Sequence, residues 1–150
     1  MSKIILIDDD YSTEILVENL GYHGYDARRI SSYEAAIQSM DEVVGADLVV
    51  LDIIMERPTR SERINISGDR TAGMALLGAI REKNPVLPVL VFSATSDRDL
   101  IDALSSAEHT AFLSKWNTPT LKDFLKKIES TIGASSGAQR RRAFTYYALR

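Results

Sequence analysis

The chain's 150 residues amount to one ordinary domain, and 45% hydrophobic against 26% charged residues is the balance of a soluble globular protein. Zero cysteines exclude disulfides, thiol nucleophiles and cysteine-ligated metal centres, and two histidines, His23 and His109, are too few for a histidine-rich metal site. The net charge of −3 hides an asymmetry: Arg140, Arg141, Arg142 and Arg150 crowd the last eleven residues, so the acidic remainder disfavours general nucleic-acid binding.

In chain order, Lys3-Ile-Ile-Leu-Ile7 is a short apolar run that stops at Asp8-Asp9-Asp10, the pattern of a strand buried on both faces. Residues 12–20 carry Ile15, Leu16, Val17 and Leu20 at helical spacing, with Gly21 as the stop. Tyr25–Ile30 reads as a second strand, and Ser31-x-x-Glu34 as a capping box opening a helix to about Met40. Asp47-Leu-Val-Val-Leu51 is a third buried strand, ending on Asp52. Ala72–Lys83 is predicted helical, stopped by Asn84-Pro85. Val86–Phe92 is a fourth strand running into Ser93, residues 97–106 a helix, and Thr110–Leu113 a fifth strand. Thr118 and Pro119 open a last amphipathic helix through Ile132.

No apolar run approaches the roughly 18 residues of a spanning helix, and Met-Ser-Lys before a strand pattern is no signal peptide, so a cytoplasmic location is expected. Strands alternating with helices predict an α/β fold, a doubly wound parallel five-stranded sheet with helices on both faces. Ligand sites in such sheets lie beyond the carboxyl ends of the strands. There the sequence places Asp8 and Asp9, then Asp52, Ser93 and Lys115. Converging carboxylates repel unless a cation neutralises them, and an oxygen-only donor set favours Mg²⁺ or Mn²⁺. A lysine and a small hydroxyl beside that cation suit a phosphoryl group, with one aspartate available as nucleophile. Any one acid after a strand is often only a turn or cap residue; the set carries the signal.

Over about residues 3–132 the sequence resembles the receiver domain of two-component response regulators, a flavodoxin-like (βα)5 fold. The matching stretches are Ile4–Asp10, Asp47–Met55, Pro88–Ala94 and Ala111–Lys115. The resemblance implies that Asp52 accepts phosphate from a histidine kinase or histidine phosphotransfer protein. It further implies direct Mg²⁺ ligation by Asp9 and Asp52, with Asp8 acting through water and the Ile54 carbonyl as a further ligand. Ser93 and Lys115 would hold the phosphoryl oxygens, and Phe112 matches the switch aromatic. Phosphorylation would draw Ser93 in, turn Phe112 inward and reshape the face formed by the helix at 97–106, the fifth strand and the last helix. The implied output is protein–protein, to a downstream partner or a homodimer, with no catalysis beyond the protein's own phosphorylation and dephosphorylation.

Three features depart from that family. The segment 56–72 is longer than usual, with four arginines against three acids, and is expected to be a recognition or lid loop. Trp116 stands where the family has a proline, so a trans Lys115–Trp116 bond and a packing role for the indole are expected. Ile54 and Thr95 stand where, by the resemblance, the family's residues influence how fast the acyl phosphate hydrolyses, and Ile54, which offers no polar atom to position a water, predicts slow decay. Residues 1–132 are expected to form the receiver and 133–150 a flexible basic and aromatic tail, with Gly133–Gly137 as linker and no output domain. His23 and His109 are expected on the surface or in loops. The competing reading is a phosphorylation-independent receiver-fold adaptor that docks partners through 56–72 and the tail. A metal-dependent phosphatase fits less well, because Ile54 stands where its second acid belongs.

Overall fold

A computed structural model of the chain describes residues 1–55, 66–116 and 120–148, with side chains described except over 66–71 and 135–148. Five parallel strands form one sheet: β1 (Lys3–Ile7), β2 (Asp26–Ile30), β3 (Leu48–Leu51), β4 (Val89–Ser93) and β5 (Thr110–Ser114), in the order β2-β1-β3-β4-β5. The helices are α1 (Thr13–Tyr22), α2 (Tyr33–Gln38), α3 (Met40–Val44), α4 (Ile66–Lys83), α5 (Arg98–Ser106) and α6 (Leu121–Ala148).

The two-residue period of the strands sorts their apolar side chains into two cores. Ile5, Ile7, Val49, Leu51, Val89 and Val91 face Tyr33, Val43, Leu76, Ile80 and Leu104 of α2–α5. Ile4, Leu6, Leu48, Val50, Leu90 and Phe92 face Leu20 of α1 and Phe124 and Ile128 of α6. The continuous apolar runs therefore do what was expected of them: both faces of the sheet are covered. Strand order reverses between β1 and β3, and Ile7 pairs with Leu51, so those two strands end level with each other.

Several local expectations are corrected. Gly21 does not stop α1, which runs to Tyr22; the chain turns at Gly24, whose φ of +88° suits a residue without Cβ. The cap of α2 is Ser32, not Ser31: its side chain accepts from the Ala35 N–H. The predicted helix to Met40 is broken at Ser39, whose own backbone N–H closes α2 while α3 starts behind it. α4 begins at Ile66 rather than Ala72, a start hidden by Gly68 and Asp69, which are poor helix formers. The rest of the predicted long loop, residues 56–65, lies outside the described residues.

Thr118 and Pro119 also lie outside them, and α6 is capped by Thr120. The Thr120 hydroxyl accepts from the Asp123 N–H at 3.3 Å while the Asp123 carboxylate accepts from the Thr120 N–H at 3.1 Å, a reciprocal box. The expected linker at Gly133–Gly137 is instead helical, because α6 continues to Ala148. The flanking Ala134, Ala138, Gln139 and arginines favour a helix and offset two glycines at about 1 kcal/mol each. Among the described residues no helix is long and apolar enough to cross a membrane.

Candidate phosphoryl and metal site

The site is assembled by strand ends. Asp8 and Asp52 immediately follow β1 and β3, and their N–H groups donate to the Ile30 and Ile7 carbonyls, both at 3.0 Å, continuing the sheet one step further. Ladder continuation turns both side chains to the same side of the sheet. There one carboxylate oxygen each from Asp8, Asp9 and Asp52 lies within 4.8 Å of the others. Asp8 and Asp52 are buried, at 3% and 5% exposure, while Asp9 is half-buried. The cleft, about 510 Å³, is lined by Asp9, Asp10, Tyr11, Asp52, Ile54, Met55, Ala94 and Lys115.

The Lys115 ammonium reaches between the acids, 2.7 Å from Asp8 and 3.1 Å from Asp52, above the face of the Phe92 ring at 5.5 Å. The second Asp52 oxygen accepts from the Ser93 hydroxyl and the Ile54 N–H, both at 2.9 Å. Ser93 is therefore already drawn to Asp52 without a phosphoryl group.

Burial pushes the Asp8 carboxyl up to about 6; the nearby Asp52 charge adds to this, while the Lys115 hydrogen bond opposes it. Asp52 is raised for the same first reason, with the Lys115 charge, the Ile54 N–H and the Ser93 hydroxyl pulling the other way. Burial alone would lower Lys115, yet its contacts with Asp8 and Asp52 outweigh that and hold it above its usual value. Two buried carboxylates share one ammonium, so negative charge remains in excess at a site whose donors are all oxygens. That is an electrostatic fit for a small divalent cation.

The structure thus brings together Asp8, Asp9, Asp52, Ser93 and Lys115. Phe112 lies on β5 at the edge of the core, half-buried and outside the acidic cleft. His23 and His109 lie at the opposite edge of the sheet; His109, with φ +56°, turns the chain into β5. No described peptide bond is cis. The expected packing role of Trp116 is overturned: the ring is 75% exposed and its indole N–H donates to the Ala94 carbonyl.

Two supporting residues escaped the sequence reading. Arg29, on the edge strand β2, donates to the Asp8 carbonyl at 3.0 Å, pairs with Glu14 at 2.7 Å and covers the Tyr11 ring at 5.7 Å, tying down the loop that carries Asp9. The buried Tyr33 hydroxyl donates to the Asp52 carbonyl at 3.0 Å. Arg29 beside the buried Ile30 near the end of β2 is the signal that could have pointed to the first, though Arg28 next to it blurs that signal; nothing local marks Tyr33.

A parallel sheet that gathers three carboxylates, a hydroxyl and a lysine at its switch point defines the class: a doubly wound α/β protein with an oxygen-donor cleft at its strand ends. A profile of the response regulator receiver domain matches residues 4–128, and the chain belongs to that family. Receiver domains bind Mg²⁺ through an acidic cluster, here represented by Asp8, Asp9 and Asp52. NtrX from Brucella abortus is similar in fold, with a TM-score of 0.75 at 18% identity over 96% of this chain, although the chain spans only 30% of that protein's length. TrrA from Thermotoga maritima, solved in complex with Mg²⁺ and BeF, has a TM-score of 0.65 at 23% identity, covering 87% of this chain and 99% of TrrA. The chemotaxis protein CheY4 from Vibrio cholerae has a TM-score of 0.67 at 17% identity over 87% of this chain and 98% of its own. No curated protein sequence matches the chain.

Proposed function

We propose that the protein is a response regulator whose receiver is phosphorylated on Asp52 by a histidine kinase or histidine phosphotransfer protein. The observation that carries this reading is the Asp52 carboxylate itself. It stands at the floor of an open cleft, with Lys115 on one oxygen and Ser93 and the Ile54 N–H on the other. In the transfer, an Asp52 oxygen bonds to the phosphorus of an N-phosphoimidazole. The P–N bond breaks, its electron pair leaves on the imidazole nitrogen, and Asp52 becomes an acyl phosphate. Lys115 and the Ser93 hydroxyl meet the phosphoryl oxygens as charge builds there. Asp8, Asp9 and Asp52, with the Ile54 carbonyl, would hold Mg²⁺ or Mn²⁺, which supplies positive charge to the incoming anion.

Residues 1–132 act as the receiver in this reading, and the signal leaves through α5, β5 and the start of α6, where Phe112 resides. The output is a phosphorylation-dependent contact with a downstream protein or a second copy, in the cytoplasm, and the chain acts as a signalling domain rather than on a separate substrate. An adaptor working independently of phosphate through 56–72 and the tail would leave the buried acid pair and its lysine without a purpose. Reductive trapping tests the site: after a small-molecule phosphodonor and Mg²⁺, borohydride should convert Asp52 alone to homoserine, located by peptide mass. Conversion at another aspartate contradicts the assignment.

A further inference from the structure

We propose that Trp116 is a positioning residue for phosphorylation: its indole N–H latches the Ala94 carbonyl and so fixes the loop that presents Ser93 to Asp52. This rests on the Asp52 reading above and extends it to a residue outside the acidic cluster.

An indole that is 75% exposed gains little from burial, so its hydrogen bond to a backbone 22 residues away is what holds the ring in place. The bond continues a zipper between the ends of β4 and β5. Ser93 pairs with Ser114 and the Lys115 N–H donates to the Ser93 carbonyl at 2.9 Å, while within the β5 segment the Trp116 N–H turns back to the Ser114 hydroxyl at 3.1 Å. The indole closes the last rung, on Ala94. Both chain segments it joins carry a group that touches Asp52: Ser93 at 2.9 Å and Lys115 at 3.1 Å.

Ala94 lines the acidic cleft, whereas the Trp116 ring lines a neighbouring cleft of about 500 Å³ with Thr95, Ser96, Arg98, Ile101 and Phe112. The latch therefore joins the rim of the phosphorylation site to the rim of the cleft that holds Phe112. Movement of Ser93 toward a phosphoryl group has to pass through Ala94, and the ring on the far side of that bond moves with it. The three carboxylates stand outside the zipper, in the segments after β1 and β3, so the latch bears on the Ser93 loop and does not set where they stand.

The chain's single tryptophan makes the test direct. In wild type the one indole N–H resonance should exchange with water slowly; exchange at the rate of free tryptophan overturns the latch whatever Asp52 does. Trp116→Phe keeps the ring and deletes the donor. It should lower the rate of phosphorylation by acetyl phosphate about three- to tenfold, the effect of losing one ordinary hydrogen bond, with Mg²⁺ half-saturation and Tm unchanged. A W116F rate equal to wild type overturns the positioning role alone, as does a fall in rate accompanied by equal falls in Mg²⁺ affinity and Tm, the mark of a merely structural residue. A wild type that takes no phosphoryl group overturns the Asp52 reading and the positioning role together.

Discussion

Asp8 shows how a buried acid at a candidate cation site can work against the fold that holds it. Its carboxyl is buried and raised to about 6, so the folded chain binds more protons than the unfolded chain between the usual carboxylate range and pH 6. Stability therefore falls as pH rises through that window, and at pH 8 the buried charge remains a burden when no cation is present. Asp8→Asn removes the charge. In metal-free buffer at pH 8 it should raise the unfolding free energy by about 1–2 kcal/mol, and it should abolish the stabilisation that Mg²⁺ gives wild type. Urea melts with and without Mg²⁺ measure both; a destabilised D8N would show that the Lys115–Asp8 pair outweighs the burial. Ile54 is a second residue-scale case. It is partly exposed at the rim of the cleft and offers no side-chain donor or acceptor to hold a water. The Asp52 acyl phosphate should persist for many minutes, and Ile54→Asn should shorten its lifetime several-fold; decay of the wild type within seconds contradicts this.

At the scale of elements, the packing of α4 decides where Asp52 stands. A side chain at Gly73 would come within 2.4 Å of the Ile53 carbonyl oxygen and 2.8 Å of the Tyr33 hydroxyl, the same hydroxyl that supports Asp52. Gly73→Ala should destabilise the protein by about 1–3 kcal/mol by overpacking, whereas Gly78→Ala, which meets nothing within 4 Å, should be neutral or stabilising. Thermal melts of the two variants make the comparison. β1, β3 and β4 were legible because each is a short apolar run that stops at a polar residue, and that same punctuation exposed Asp8, Asp52 and Ser93. Helix boundaries were less legible. Adjacent serines at 31 and 32 offer the same cap chemistry, and only the backbone geometry chooses Ser32. The glycines of 133–137 read as a linker, yet a helix already nucleated by the Thr120–Asp123 box and packed through Phe124 and Ile128 carries through them. Trp116 could not be placed from sequence, since its partner is a backbone carbonyl 22 residues away.

For the whole molecule, the sheet divides the work. One core, under α1 and α6, and another, under α2 to α5, hold the sheet, and the charged groups collect at the carboxyl ends of its strands, where strand order reverses. Arg81 clamps the other end, donating to the Leu87 and His109 carbonyls and the Thr110 hydroxyl. In the proposed reading, chemistry at Asp52 is set on this frame, and change spreads through the Ser93–Thr95 segment, which shares a cleft with Phe112. The decisive measurement is the intact mass of wild type and Asp52→Asn after incubation with acetyl phosphate, with and without Mg²⁺. One phosphoryl group on the wild type, only with Mg²⁺, and none on D52N is the predicted result. A wild type that stays unmodified and fails to bind Mg²⁺ would contradict the phosphotransfer reading and favour the adaptor.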